Sequence, residues 1–213
     1  MPRVITRIDD TAVLAVLAAD AAGAVDDVDR HILQVAAEVL VDAGLEGFEL
    51  DAVAAASGVG RSTIYRRFGG RNRLLSAAVA HDARRFFADL AEATEHIADP
   101  VDRTVAAFVH GLRLARDTGF VARIRDEPEL VRVLTVDGGT LVAAAVSQLV
   151  VEASRRAPSV SRPTAAAAAE MLVRLAISFV LSPPAELDVD DEGLAAVISP
   201  IVAPAVRAAL DHD

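Results

Sequence analysis

The sequence predicts an all-α protein, and three observations support this class. Apolar residues recur at intervals of three and four along most of the chain, which is the period of a helix with one buried face. Alanine, leucine and other strong helix formers fill the long segments. No stretch shows the alternation of apolar and polar residues that indicates a half-buried strand. Since 53% of the residues are hydrophobic but only 4% are aromatic, the core must be built mainly from Ala, Val, Leu and Ile.

The first segment, residues 1–27, is predicted to be a partly helical extension. An apolar run begins at residue 12, but Asp20 interrupts it and three aspartates follow it at once. It is therefore interpreted as an extra helix over about residues 9–22, and not as a signal peptide or a membrane span.

Residues 28–94 are predicted to form four helices separated by glycines. An apolar face repeats over residues 28–43, and Gly44 follows where a glycine commonly ends a helix. Gly58 can adopt the positive φ that would end the second helix. The predicted bounds of the next three helices are 49–56, 61–68 and 71–94.

The C-terminal half is also predicted to be helical. The loops between its helices are marked by proline and acidic residues at 157–163 and 182–191. In the last helix, Pro200 and Pro204 must kink or divide the segment, because proline has no amide proton for the helical ladder. The predicted bounds are 101–116, 121–134, 139–156, 164–181 and 192–210.

The composition excludes several kinds of chemistry. The chain has no cysteine and no lysine, which removes disulfides, thiolate metal sites, a phosphate-binding lysine and a lysine Schiff base. No two histidines stand at the spacing of a metal site, and no arrangement of nucleophile and base is recognisable. We therefore expect no metal, no cofactor and no enzyme activity.

The arginine content of residues 57–75 departs from the rest of the chain. The whole sequence has a net charge of −10, yet this window holds five arginines and no acidic residue. Taken alone, such a window is typical of a solvated helix surface. Its position after a tight glycine turn between two short helices indicates a helix-turn-helix, whose second helix fits the DNA major groove.

The second of these helices, residues 61–68, has two distinct faces on a helical wheel. Ile64 and Phe68 share the face predicted to pack inward, and hydroxyl, phenol and guanidinium groups lie on the other. Arginine can bind guanine through two hydrogen bonds, and arginines at the flanks can bind phosphates. The predicted DNA-binding residues are Arg61, Ser62, Thr63, Tyr65, Arg66, Arg67 and Arg71.

The stretch "LDAVAAASGVGRSTIYRRFGGRNRLL" resembles the DNA-binding module of the TetR family of bacterial transcriptional regulators. The residues that carry the resemblance are Leu50, Val53, Ala54, Gly58, Val59, Gly60, Thr63, Ile64, Tyr65, Phe68, Arg71, Leu74 and Leu75. Three positions depart from the family pattern. Glu49 replaces a Ser or Thr cap, Gly60 replaces a common serine, and Arg71 replaces a lysine.

The resemblance implies a C-terminal half that forms a homodimer and holds a small-molecule inducer. The segment 164–181 supports the dimer independently, because it is apolar on nearly all sides and must be buried on more than one face, either as central core or as half of an interface. We expect the interface at about 164–181 and 192–210, and an apolar inducer. The predicted ligand-lining residues are Phe87, Phe108, His110, Leu112, Arg113 and Phe179.

The expected architecture is therefore an N-terminal extension (1–27), a three-helix helix-turn-helix DNA-binding domain (28–72) and a helical ligand-binding and dimerisation domain (73–213). The expected function is that of a cytoplasmic, dimeric repressor that a small ligand releases from a palindromic double-stranded operator, with no membrane partner. Two alternatives remain open. One is an activator, and the other is a helical small-molecule-binding or protein-interaction module that has lost operator binding.

Overall fold

The computed structural model describes residues 25–117, 131–132, 135, 139–182 and 190–210. Eight helices are bounded within these residues, and no strand is found among them. The extension helix predicted at 9–22, and most of the helix predicted at 121–134, lie outside the described residues. The helices are α1 (Asp27–Gly47), α2 (Leu50–Ser57), α3 (Arg61–Phe68), α4 (Arg71–Ala93), α5 (Pro100–Asp117), α6 (Gly139–Arg156), α7 (Arg162–Leu181) and α8 (Asp191–Leu210).

The prediction of an all-α fold is confirmed, and the described helices begin and end within a few residues of their predicted bounds. Gly44 explains the largest difference. Its backbone has φ 72° and ψ −178°, so the regular part of α1 ends where the sequence predicted, although helical turns continue to Gly47.

Helix α8 is not divided, contrary to one of the two predicted outcomes. It runs from Asp191 to Leu210 with Pro200 and Pro204 inside it. Both prolines are exposed, and so is Ala196, whose carbonyl would otherwise accept a hydrogen bond from residue 200. Water can therefore replace the helical bonds that the two prolines remove.

The chain forms two compact units, which divide within α4 between Arg85 and Phe86 and again within α6 between Leu141 and Val142. The first unit contains α1, α2, α3, most of α4 and the first three residues of α6. The domain boundary after residue 72 stays a prediction. Its core is aliphatic except for Phe48, which is fully buried. The core residues are Ile32, Leu33, Val35, Ala36, Leu45, Phe48, Leu50, Val53, Ile64, Leu74, Leu75, Ala77 and Ala78.

The second unit has its main core between α5 and α8, with α7 packed against both. Val105, Val109 and Leu112 of α5 meet Ile198 and Val202 of α8. A smaller cluster joins Val150 of α6, Val160, Ala165 of α7 and Ala209 of α8.

Helices α7 and α8 are also long and apolar enough to cross a membrane by length and composition alone. This is weak evidence for a membrane protein, because core helices of soluble proteins share these properties. Both helices contribute residues to the core of the second unit.

Candidate nucleic-acid interface

The turn between α2 and α3 is fixed by three local features. Gly58 ends α2 in the left-handed conformation, with φ 68°, which a residue with a side chain rarely adopts. The Val59 amide donates a hydrogen bond to Ser57 Oγ over 3.2 Å. His31 Nε2 of α1 lies 3.1 Å from the carbonyl oxygen of Ser57, at the end of α2. The helix-turn-helix is therefore tied at its corner to the first helix.

Helix α3 buries one face and exposes the other, as its sequence predicted. Ile64 is 0% exposed and Phe68 packs against the same core, whereas Tyr65 is 60% exposed. Ser62 and Arg66 are exposed and Thr63 is half-buried. A hydroxyl, a phenol and a guanidinium thus lie together on the outer surface, where they can reach base edges or phosphates.

Arg61, at the start of α3, forms an ion pair with Asp51 in the first turn of α2. Its Nη1 lies 2.9 Å from Oδ1 and 2.8 Å from Oδ2 of Asp51. The side chains are 64% and 70% exposed, and an ion pair in water is weak. A phosphate can therefore displace Asp51 at little cost.

Arg67, at the end of α3, is more firmly held. Its Nη1 lies 2.7 Å from Oδ2 of Asp26 and 2.8 Å from Oδ1 of Asp29, at the start of α1. These hydrogen bonds raise the pKa of the Arg67 guanidinium, and the Arg67 contact is the largest of the causes that lower the pKa of Asp26. The arginine therefore connects the recognition helix to the N-terminus of α1.

Arg71, at the start of α4, faces the protein. Its Nε donates a hydrogen bond to the carbonyl oxygen of Phe48 over 2.6 Å, and its Nη2 donates to that of Leu45 over 2.5 Å. Its side chain is only 22% exposed. The role of phosphate ligand, which the sequence assigned to Arg71, stays a prediction, and the structure gives this residue internal contacts that the sequence did not indicate.

Arg66 differs from the other two arginines of α3. Among the residues that the structure describes, it has no ion pair and no hydrogen bond from its side chain. Its charge is therefore available on the outer face of the helix, between Ser62 and the glycine that follows Phe68. No local spacing in the sequence reveals the acidic partners of Arg61 and Arg67, because these acids belong to α1, its N-cap and α2.

The residues predicted to line a ligand pocket occupy three places in the second unit. Phe108 and Phe179 make an edge-to-face contact at 6.1 Å between ring centroids, and Leu112 is buried in the same cluster. In contrast, Arg113 lies at the surface, where its Nη2 is 2.8 Å from Nδ1 of His110 and its Nη1 is 3.0 Å from Oδ2 of Asp191.

Phe87, the remaining candidate, contacts Phe86 edge-to-face at 5.5 Å. The structure thus brings three of the six candidates into one apolar cluster. No group of three or more histidine or acidic side chains that could hold a metal ion is found among the described residues.

Comparisons with known proteins agree with this geometry. Residues 32–78 match the family described as "Bacterial regulatory proteins, tetR family", and residues 77–200 match "Bacterial Tetracyclin repressor, C-terminal domain". No curated protein matches the chain in sequence.

Among solved structures, the chain is similar to the TetR family repressor AlkX from Dietzia sp. strain DQ12-45-1b, described as implicated in biodegradation of n-alkanes. The TM-score is 0.68 at 22% identity, over 85% of this chain and 98% of AlkX. This likeness shows a shared fold. Since the C-terminal family match alone spans more than half of the 213 residues and the N-terminal match covers the helix-turn-helix, the chain belongs to the TetR family of DNA-binding, non-enzymatic regulators.

Proposed function

We propose that the chain acts in the cytoplasm as a homodimeric repressor that binds a palindromic operator and is released from it by a small apolar ligand. The observation that carries the DNA-binding part is the orientation of α3. Ile64 anchors the helix in the core, while Ser62, Tyr65 and Arg66 remain exposed on the opposite side. A major groove admits one such helix.

Exposed apolar surface on α7 and α8 supports the homodimer. Only 11% of the most apolar window of α7 is buried within the chain, and 28% of that of α8. Met171, Val197 and Ile201 are each about half exposed, at 45%, 46% and 46%. Surface of this kind on a soluble protein indicates an interface, and a second copy would cover it with the same helices. Two recognition helices would then read half-sites about one helical turn apart.

The aliphatic interior of the second unit supports an apolar ligand. The cluster around Phe108, Phe179 and Leu112 offers apolar surface but few polar groups. A ligand that prefers one of two conformations would shift the dimer toward it and thereby change the separation of the recognition helices, for instance by moving α4. A preference of about 1–3 kcal/mol is enough for moderate coupling.

The DNA-binding part is tested by selecting duplexes from random DNA with the purified protein and then measuring the affinity of variants. We expect Arg66→Ala to cost about 1–3 kcal/mol at one base pair of the operator and to relax specificity there. Arg85→Ala is the matched control, because Arg85 is an equally exposed arginine that belongs to α4 and not to α3. If no duplex is enriched, the chain is instead a helical binding module without operator recognition.

A further inference from the structure

The guanidinium of Arg71 bridges two backbone carbonyls of one turn. These carbonyls, of Leu45 and Phe48, stand where α1 ends and the chain turns toward α2. Leu45 lies in the last turn of α1, which ends at Gly47, and Phe48 is its C-cap, so their carbonyls stand where a helix has no further amides of its own to donate. Arg71 therefore supplies donors where the helix no longer supplies them.

The surroundings of Arg71 are those of a structural side chain. Its guanidinium carbon lies 5.9 Å from the centroid of the Phe48 ring, within the range of a cation–π contact. Glu49 Oε1 is 3.8 Å from Nε. The Arg71 side chain is 22% exposed, against 64% for Arg61 at the start of α3.

The same contacts reach the recognition helix through the core. Phe48 and Leu45 are buried in one cluster with Ile64, the residue that anchors α3. A displacement of the α1–α2 turn would change the packing of Leu45 and Phe48 against Ile64. This would change the orientation of the exposed face of α3, which carries Ser62 and Arg66.

We propose that Arg71 is a positioning residue, which holds the α1–α2 turn against the start of α4 and so orients the recognition helix, and that it is not a phosphate ligand. This deepens the proposed function and rests on it only for the DNA readout. The planar guanidinium can reach two carbonyls at once, whereas the ammonium of a lysine is a single point charge. A lysine at position 71 could therefore still bind a DNA phosphate, but it could not bind the carbonyl oxygens of Leu45 and Phe48 in the way that Arg71 does.

The test compares Arg71→Lys and Arg71→Gln in the full-length protein, with Arg85→Lys as the matched control on the same helix. Without DNA, we expect both Arg71 variants to shift the backbone amide signals of Gly44 and Gly47 and to lower Tm, Arg71→Gln by roughly 3–10 °C. Arg85→Lys should leave Tm and both signals unchanged.

With a duplex selected by the wild-type protein, we expect both Arg71 variants to lose affinity while the slope of log K against log salt stays that of the wild type. A lost phosphate contact would instead reduce the slope by about 0.9 per subunit. The proposal is overturned if Arg71→Lys keeps wild-type affinity while Arg71→Gln reduces the slope.

The amide signals and Tm, which are measured without DNA, test the positioning role of Arg71 independently of operator binding. If the wild type selects no duplex, operator binding fails, but shifted amides and a lower Tm in Arg71→Lys still support the positioning role. Unchanged amides and Tm in Arg71→Lys would overturn the positioning role whatever the DNA result.

Discussion

Arg67 donates a hydrogen bond to Asp26 over 2.7 Å and so joins the end of the recognition helix to the residue that caps α1. Asp26 has a second task, because its Oδ1 accepts a hydrogen bond from the Asp29 amide over 2.7 Å. The carboxylate of Asp26 thus accepts a hydrogen bond from an amide in the first turn of α1 and also forms an ion pair with Arg67 of α3. The contact couples the orientation of α3 to the protonation of Asp26.

Asp26→Asn isolates the ion pair, because asparagine caps a helix about as well as aspartate. The pKa of Asp26 is lowered in the folded protein from its ordinary 3.8, first by Arg67 and then by the Asp29 amide. Stability from such a group is present above pH 3.8 and is lost as pH falls through the lower, folded-state pKa. We expect a lower Tm for Asp26→Asn than for the wild type at pH 6, and a difference that shrinks as the pH falls through the folded-state pKa of Asp26.

Circular dichroism melts of the two proteins between pH 2.5 and 7 give this comparison. Asp27→Asn is the control, because Asp27 is exposed and contacts Arg30 within α1 and not the recognition helix. A Tm difference for Asp26→Asn that does not shrink as the pH falls below 3.8 would contradict the assignment.

The local signals of the helix-turn-helix were sufficient to predict its helices. Gly44 and Gly58 both have a positive φ, and this property of a single residue interrupts or ends the helix. The inward face of α3 follows from the helical period of its apolar residues. Ile64 was therefore placed correctly in the core.

Partners across helices were not predictable in the same way. Arg67 and Asp26 are 41 residues apart in sequence, and Arg61 and Asp51 are 10 apart. Many acidic residues compete for each arginine in a chain of net charge −10, and only the packing of α1, α2 and α3 selects among them. The arginine-rich window is thus partly neutralised by acids from outside it, which leaves Arg66 as the exposed charge of α3 without a partner among the described residues.

His81 makes the stability of the fold depend on pH in a second range, which lies above that of Asp26. The side chain of His81 is 6% exposed, and its Nδ1 has no hydrogen-bond partner in the described parts of the chain. Burial, and next the charge of Arg85, lower the pKa of His81 from 6.5, while Asp82 opposes the shift. The unfolded chain therefore binds the proton more readily, and stability falls as pH drops below about 6.5.

We expect the free energy of unfolding of the wild type to decrease as the pH is lowered from 7 to 5. In His81→Leu this decrease should be much smaller. Urea denaturation at several pH values measures it. His96→Gln is the control, because it removes a histidine that is exposed and not packed in the core. An identical slope in His81→Leu and the wild type would show that another group is responsible.

A serine in place of Gly60 should increase both the stability of the protein and its affinity for the operator. Gly60 caps α3 with φ −58° and ψ 137°, which other residues adopt easily, and a Cβ there would meet nothing within 4 Å. A serine hydroxyl can accept a hydrogen bond from the first turn of α3 and can donate to a phosphate. We expect Gly60→Ser to raise stability by a few tenths of a kcal/mol and to tighten operator binding.

Gly58→Ser is the matched change two residues earlier. There φ is 68°, so the side chain is strained although the space is open, and we expect a loss of about 1 kcal/mol. Thermal melts and gel-shift titrations of the two variants test both statements. Equal effects of the two substitutions would mean that the conformation of the turn does not control them.

Ile201 tests the proposed dimer. It is 46% exposed on α8, on the same side as Val197, so an aspartate there can remain in water within a single chain but not inside an interface between two copies. We expect Ile201→Asp to convert the dimer into a folded monomer at micromolar concentration, with unchanged helical content. Because operator binding would need two recognition helices, affinity for a palindromic duplex should fall by at least tenfold. Val151→Asp on α6, which is 54% exposed but lies outside α7 and α8, is the control and should remain dimeric in light scattering. If Ile201→Asp stays dimeric while Val151→Asp dissociates, the interface lies on α6 and not on the exposed face of α8.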